Sequence, residues 1–245
     1  MAEALASAAT APVAPTGLLA RAVGVLVAPR RTYAAIAAHP RVVGALLLSL
    51  AIMITGTLVF LSTEVGQQAV IDQQVHQAES FGRPMNDAQY EQLERFAPYL
   101  AYVGAGFQVV AVVLGSLIMA GLSWLVFNAL LGGEAKFKEV YAVVAHSGFV
   151  LAAAPLFVLP LDYVRESLTS PTSLAVFLPF LEENTFLYRL LGTLDLFYIW
   201  WIVNLAIGLG VLSRRRTGPI AATLLIIYAV LAVIGAAVRT ALAGA

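Results

Sequence analysis

The sequence predicts an all-α polytopic membrane protein, a five-transmembrane-helix bundle with an N-terminal interfacial helical arm. Three observations lead there. The chain of 245 residues is 60% hydrophobic and only 11% charged, where a soluble domain carries about 25% charged residues. Its apolar residues gather into five stretches, each at least the roughly 20 residues a helix needs to cross about 30 Å of hydrocarbon, and the second, 99–131, longer than needed, so that it either tilts or begins outside the membrane. Its charges lie between the stretches, with Lys and Arg in alternate loops and Asp and Glu in the others. A bilayer imposes that zoning, because charge is costly in hydrocarbon and basic loops stay cytoplasmic.

Taken in order, residues 1–16 are rich in Ala, Pro and Thr and read as a disordered tail. Residues 17–41 form the arm. Leu18, Leu19, Ala22, Val23 and Leu26 recur at helical spacing until Pro29, and Thr32 is placed to cap a second short helix through Ala38. With Arg30, Arg31 and Arg41, these pieces suit an inner-leaflet helix pair, or else a lead-in that only sets topology. Arg21 interrupts the first apolar run and no basic residue precedes it, so a cleaved signal peptide is not expected. The membrane domain, 42–242, has spans at about 42–61, 99–131, 140–161, 190–212 and 220–242. The third is expected to break late, at Pro155 and Pro160, and the fourth to contain Asp195 and Asn204. Between spans, Asn86 and Gln89 have the spacing of a capping box, predicting a short helix over Asp87–Ala97 that leads into span two. The rest of Ser62–Pro98 reads as loop. Ser170-Pro171 reads as a helix start, and Ser173–Leu181 as an interfacial segment too short to cross.

Charge fixes the expected orientation. With the N-terminus inside, the inward segments hold nine basic residues against three acidic ones, and the outward segments five against ten. The excess predicts a cytoplasmic N-terminus and an outward C-terminus. Net charge is zero, so no nucleic-acid partner is expected.

Reaction chemistry finds little footing. Cysteine is absent, which excludes thiolate metal sites and a cysteine nucleophile. His39, His76 and His146 share no helix face at ligand spacing, so neither a metal nor a cofactor is expected. Glu182-Glu183 with Arg189 resembles the glutamate pair of intramembrane prenyl-type proteases, but no histidine follows to complete such a site. No catalytic residue is assigned. Asp195 is the sharpest candidate, because an ionisable group in a span marks function by default. It reads either as an outer-boundary carboxylate paired with Arg189 or Tyr198, or as a buried gating group. Asn204 reads as interhelical glue and His146 as a neutral packing histidine.

Several segments together resemble the Yip-one domain family, five-span proteins named for interacting with Ypt/Rab GTPases, and in particular its prokaryotic branch. They are Arg21–Pro29 with Thr32-Tyr33 and Ile36, Gly132-Gly133 followed by Phe137–Val140, and Leu194–Trp200 continuing to Ile207-Gly208. The resemblance implies a helical bundle with a cytoplasmic N-terminus, and it singles out Asp195, Phe197 and Trp200 without giving them defined chemistry. The Asp-Leu-Tyr-Gly-Pro signature of eukaryotic members is missing, so GTPase recruitment is not carried over.

The functional expectation is a non-enzymatic scaffold in a bacterial cytoplasmic membrane. Its inward face, with Arg30, Arg31, Lys138, Arg214, Arg215 and Arg216, would engage anionic lipid or a membrane or cytoplasmic protein, and a second copy of the chain is a further candidate partner. The alternative is a small transporter using Asp195, Asn204 and His146 in a polar path. An intramembrane enzyme is a third option.

Overall fold

The computed structural model describes residues 17–130, 132–182 and 185–243. The tail expected over 1–16, and Glu183 of the glutamate pair, lie outside them. The described chain is helical, and the helices follow from local chemistry.

The arm is a helical corner, α1 (Leu18–Val27) and α2 (Pro29–Ala38). Thr32 does not cap the second helix. Pro29 occupies its first turn and Ala28 is the cap, because a proline there sacrifices only an N–H that has no helical partner anyway. The Thr32 hydroxyl instead donates to the Ala28 carbonyl at 3.0 Å.

Helix α3 (Val43–Leu61) crosses and stops at Ser62, and a helix not expected from the sequence follows, α4 (Glu64–Ser80). Thr63 caps it by accepting from the Gly66 N–H at 3.0 Å. It forms a hairpin with α5 (Asp87–Leu125), whose start is the expected capping box: Gln89 N–H to Asn86 at 2.9 Å, and Asn86 N–H to Gln89 at 3.0 Å. At 39 residues, α5 is about 58 Å long at 1.5 Å per residue. That is nearly twice a bilayer core. The α4–α5 hairpin therefore projects beyond the membrane. A π-helical turn, Val126–Leu130, ends α5. The connection back turns on Gly132 at φ +64 and is held where Trp124 and Asn128 both donate to the Ala135 carbonyl.

Helix α6 (Phe137–Arg165) runs unbroken through Pro155 and Pro160, contrary to the expected break. In a packed membrane helix, neighbours and local adjustment satisfy the carbonyls a proline leaves open. Half of its most apolar stretch is buried, against 22% for α3 and 11% for α5. It is the central helix, touching α3, α5 and both arm helices.

The next connection carries a short 3₁₀ turn, Leu174–Phe177, then α7 (Phe186–Thr193) and α8 (Leu196–Leu212). Ser170-Pro171 does not start a helix. It lies in a turn leading to an antiparallel bridge between Ser173 and Asp195. The expected span at 190–212 is likewise two helices, broken at Leu194–Asp195. Last comes α9 (Thr217–Ala243), against α7 and α8.

Four helices, α3, α5, α6 and α9, are long and apolar enough to cross a membrane, and α8 is a shorter apolar fifth. The shared core unites Val140, Val143, Phe149, Leu205 and Leu209 with Val25, Tyr33 and Ile36 of the arm. The outer faces of α5 and α9 leave residues such as Val103, Phe107, Ile118, Ile226 and Ile234 more than half exposed. So much aliphatic surface suits lipid and not water.

Candidate functional site

Chain reversal brings the arm, the Gly132 connection and the Ser213–Arg216 turn to one end of the bundle. Its construction begins with Asn204 on α8. The Asn204 amide donates to the Val25 carbonyl at 2.8 Å, while its oxygen accepts from the Tyr33 hydroxyl. The Val25 carbonyl is available because the last turn of a helix leaves its carbonyls without helical partners. One side chain thus ties both arm helices to α8. All three residues are at most 1% exposed, and burial pushes the Tyr33 phenol pKa upward. Sequence reading named Asn204 but missed Tyr33 as its partner; the signal was an aromatic three positions before Ile36 on an otherwise short, polar helix.

Close approach makes the dock possible. A Cβ at Gly208 would come within 2.5 Å of Val143 and 3.0 Å of the Tyr33 ring. Only a glycine lets Tyr33 slide between α6 and α8. Arg21, also buried, donates to the His39 carbonyl at 3.1 Å and so ties the start of α1 to the end of α2. Burial, then the charge of Arg41, lowers its pKa.

Around the docked arm basic residues are in excess. Arg30, Arg31, Arg41, Lys138, Arg214 and Arg216 are exposed and form no salt bridge among the described residues; Arg215 is exposed beside them. The face of α1 turned away from the bundle carries Leu19, Val23 and Val27, exposed by 70%, 59% and 75%. Apolar residues at this spacing beside arginines make an interfacial surface.

The other sequence candidates lie apart from this face. Asp195 is not inside a span. It is the N-cap of α8, accepting from the Phe197 N–H at 2.8 Å. Its second oxygen accepts from the Ser170 and Thr172 hydroxyls at 2.7 and 2.6 Å. Its own N–H donates to the Tyr228 hydroxyl, which donates to the Thr193 carbonyl. Among the described residues neither expected partner is hydrogen-bonded to it: Arg189 donates to the Arg239 carbonyl. Asp195 is a junction that stitches the loop after α6 and helix α9 to the start of α8. Phe197 and Trp200 lie with ring centres 5.9 Å apart and tilted by 40° on the first turns of α8, with Trp200 partly exposed. His146 is fully buried on α6, its Nδ1 2.8 Å from the Ala142 carbonyl and its ring edge-on to Phe149. Among the described residues no three acidic or imidazole groups are placed to hold a metal.

The Yip1 domain profile matches residues 23–238, from the first arm helix to the end of the last. The chain belongs to the Yip1 family. No curated protein and no solved structure matches it. It is therefore a multi-pass membrane protein of the Yip type, and the matched region takes in Val25, Tyr33 and Asn204 of the docked arm and the Asp195 junction.

Proposed function

We propose that this Yip1-family protein is a non-enzymatic membrane-organising scaffold, whose basic arm-side face lies in the cytoplasm and gathers anionic lipid or recruits a partner there. The observation that carries the reading is the pinned arm. Tyr33, Val25 and Asn204 hold α1 and α2 in one pose, while Leu19, Val23 and Val27 face outward beside Arg30 and Arg31. A rigid apolar stripe rimmed by cations matches the boundary between acyl chains and anionic headgroups. Each cation near such a surface contributes about 1 kcal/mol. Lys138 and Arg214–Arg216 extend the same charge across the end of the bundle.

The transporter alternative has less support. Asp195, His146 and Asn204 sit in three separate settings: Asp195 and Asn204 are committed to hydrogen bonds within the fold, and His146 is held through Nδ1 by the Ala142 carbonyl.

The test is a lipid-enrichment measurement on the full-length protein in mixed vesicles, reading energy transfer from its tryptophans to pyrene-labelled phosphatidylglycerol against pyrene-labelled phosphatidylcholine. The wild type should favour the anionic probe at low salt. Replacing Arg30, Arg31 and Arg214–Arg216 by Gln should remove the preference without altering thermal unfolding. If the preference persists, the lipid reading fails. In-cell photocrosslinking from positions 31 and 138 then decides whether a protein partner occupies the face.

A further inference from the structure

The break between α7 and α8 sets the depth of the loop that precedes it. At 17 residues, α8 is about 25 Å long, roughly 5 Å short of a bilayer core of about 30 Å. Its last residue, Leu212, leads straight into the turn bearing Arg214–Arg216, whose charge belongs at the headgroups. The other end, at Leu194–Asp195, therefore lies inside the hydrocarbon of the leaflet opposite the arm. Helix α9 gives a second count. The Asp195 N–H donates to the Tyr228 hydroxyl at 3.1 Å, and Tyr228 stands about 17 Å along α9 from Thr217.

The bonding at the break suits that depth. Non-helical backbone within a bilayer is tolerated only where protein satisfies it. Here the break is sewn to the preceding loop: the Leu174 N–H donates to the Leu194 carbonyl at 2.8 Å, and the Leu196 N–H to the Thr172 carbonyl at 3.0 Å. The Tyr228 hydroxyl closes the Thr193 carbonyl at 2.6 Å. Just below, Tyr198 and Trp200 are 49% and 39% exposed, and both residue types favour a membrane boundary.

These pairings carry the 3₁₀ turn, Leu174–Phe177, to the same level. No charged residue occurs from Pro171 to Leu181, while Phe177 and Phe180 are 62% and 76% exposed. The turn packs on α7, and α7 packs on α9. The exposed rings thus adjoin the helix whose outer face carries Ile226, Val230 and Ile234, each at least half exposed. They continue a surface already turned to lipid.

We infer that the loop from Leu174 to Leu181 is a second membrane-embedded element, seated in the leaflet opposite the arm. Phe177 and Phe180 lie among acyl chains just beneath the headgroups, and the chain returns to water at Glu182. The arm holds one leaflet and this loop the other. The embedding does not depend on whether the basic face gathers anionic lipid.

The experiment is a depth measurement on full-length protein in phosphatidylcholine vesicles. Because cysteine is absent, nitroxide labels at Phe177→Cys and Phe180→Cys report without background. Collisions with oxygen, which concentrates in hydrocarbon, are compared with collisions with a water-soluble nickel chelate. Ile226→Cys supplies the lipid reference and Glu182→Cys the water reference, both on exposed residues. The oxygen-to-nickel ratio at Phe177 and Phe180 should match that at Ile226 and exceed that at Glu182 several-fold. Val176→Cys, also on an exposed residue, replaces either loop variant that is not monodisperse. Ratios equal to that of Glu182 would put the loop in water and overturn the inference. Shielding from both reagents would overturn it too, by showing that protein, such as a second copy of the chain, covers the rings.

Discussion

Asn204 shows how one uncharged side chain can govern the arm. It satisfies a carbonyl of α1 and a hydroxyl of α2 at once. Asn204→Ala therefore leaves two buried groups unpaired, at about 1–3 kcal/mol each. Tyr33→Phe removes only the hydroxyl and keeps the ring packed, so it should cost about half as much. Thermal unfolding in detergent gives the ranking, and amide exchange over 18–38 should rise in both variants; unchanged exchange in Asn204→Ala would mean the arm is held by packing alone. Gly208 governs the same dock sterically. Gly208→Ala gains up to about 1 kcal/mol of helix propensity but drives a methyl to 2.5 Å from Val143, and such overpacking costs roughly 1–3 kcal/mol. The arm should loosen, and adding Val143→Ala should restore its protection from exchange. Failure of that rescue would detach the arm's position from the α6–α8 gap.

Among the elements, the break before α8 decides how Asp195 is to be understood. A capping carboxylate that also binds two hydroxyls is held in place by geometry. Asp195→Asn keeps an oxygen for the Phe197 N–H, and the Ser170 and Thr172 hydroxyls can rotate to meet the amide. It should cost less than about 1 kcal/mol. Asp195→Ala loses the cap, worth about 0.5–2 kcal/mol, and strands both hydroxyls, so it should destabilise by about 2–4 kcal/mol. A large loss in Asp195→Asn would show that the charge itself is needed. The sequence carried a signal for this break, an Asp directly before an apolar run, but Leu190, Leu191 and Leu194 on its N-terminal side made one long span the simpler reading. The apolar runs of α3, α5, α6 and α9 were legible because length and hydropathy decide them. Helix α4 was not: its Gln-rich pattern has neither a stripe nor a long apolar run, and its only mark is the Thr63-Glu64 start. The unbroken α6 was equally hidden, because whether a proline breaks a helix depends on the neighbours that repair it. Of the candidate site, the basic residues were legible singly. The Tyr33–Asn204 tie was not, since it joins positions 171 apart in the chain.

For the whole molecule, zoned charge and unequal ends make one argument. The arm end is basic, and the opposite end carries the projecting α4–α5 hairpin with Glu64, Asp72, Glu79, Asp87, Glu91 and Glu94. Reversing this orientation would move a long acidic hairpin inward and most of the basic residues outward, against the bias that basic segments impose. Because the chain has no cysteine, single-cysteine variants report on sidedness without background. Arg31→Cys and Lys138→Cys should resist a membrane-impermeant maleimide in intact cells and react once the membrane is opened. Glu79→Cys should react in intact cells, and its fast, bulk-water rate should also show how far the hairpin stands above the bilayer. A reversed pattern would refute the cytoplasmic basic face and with it the lipid-gathering role. The expected one would put the pinned arm, its exposed arginines and the anionic leaflet on the same side of the membrane.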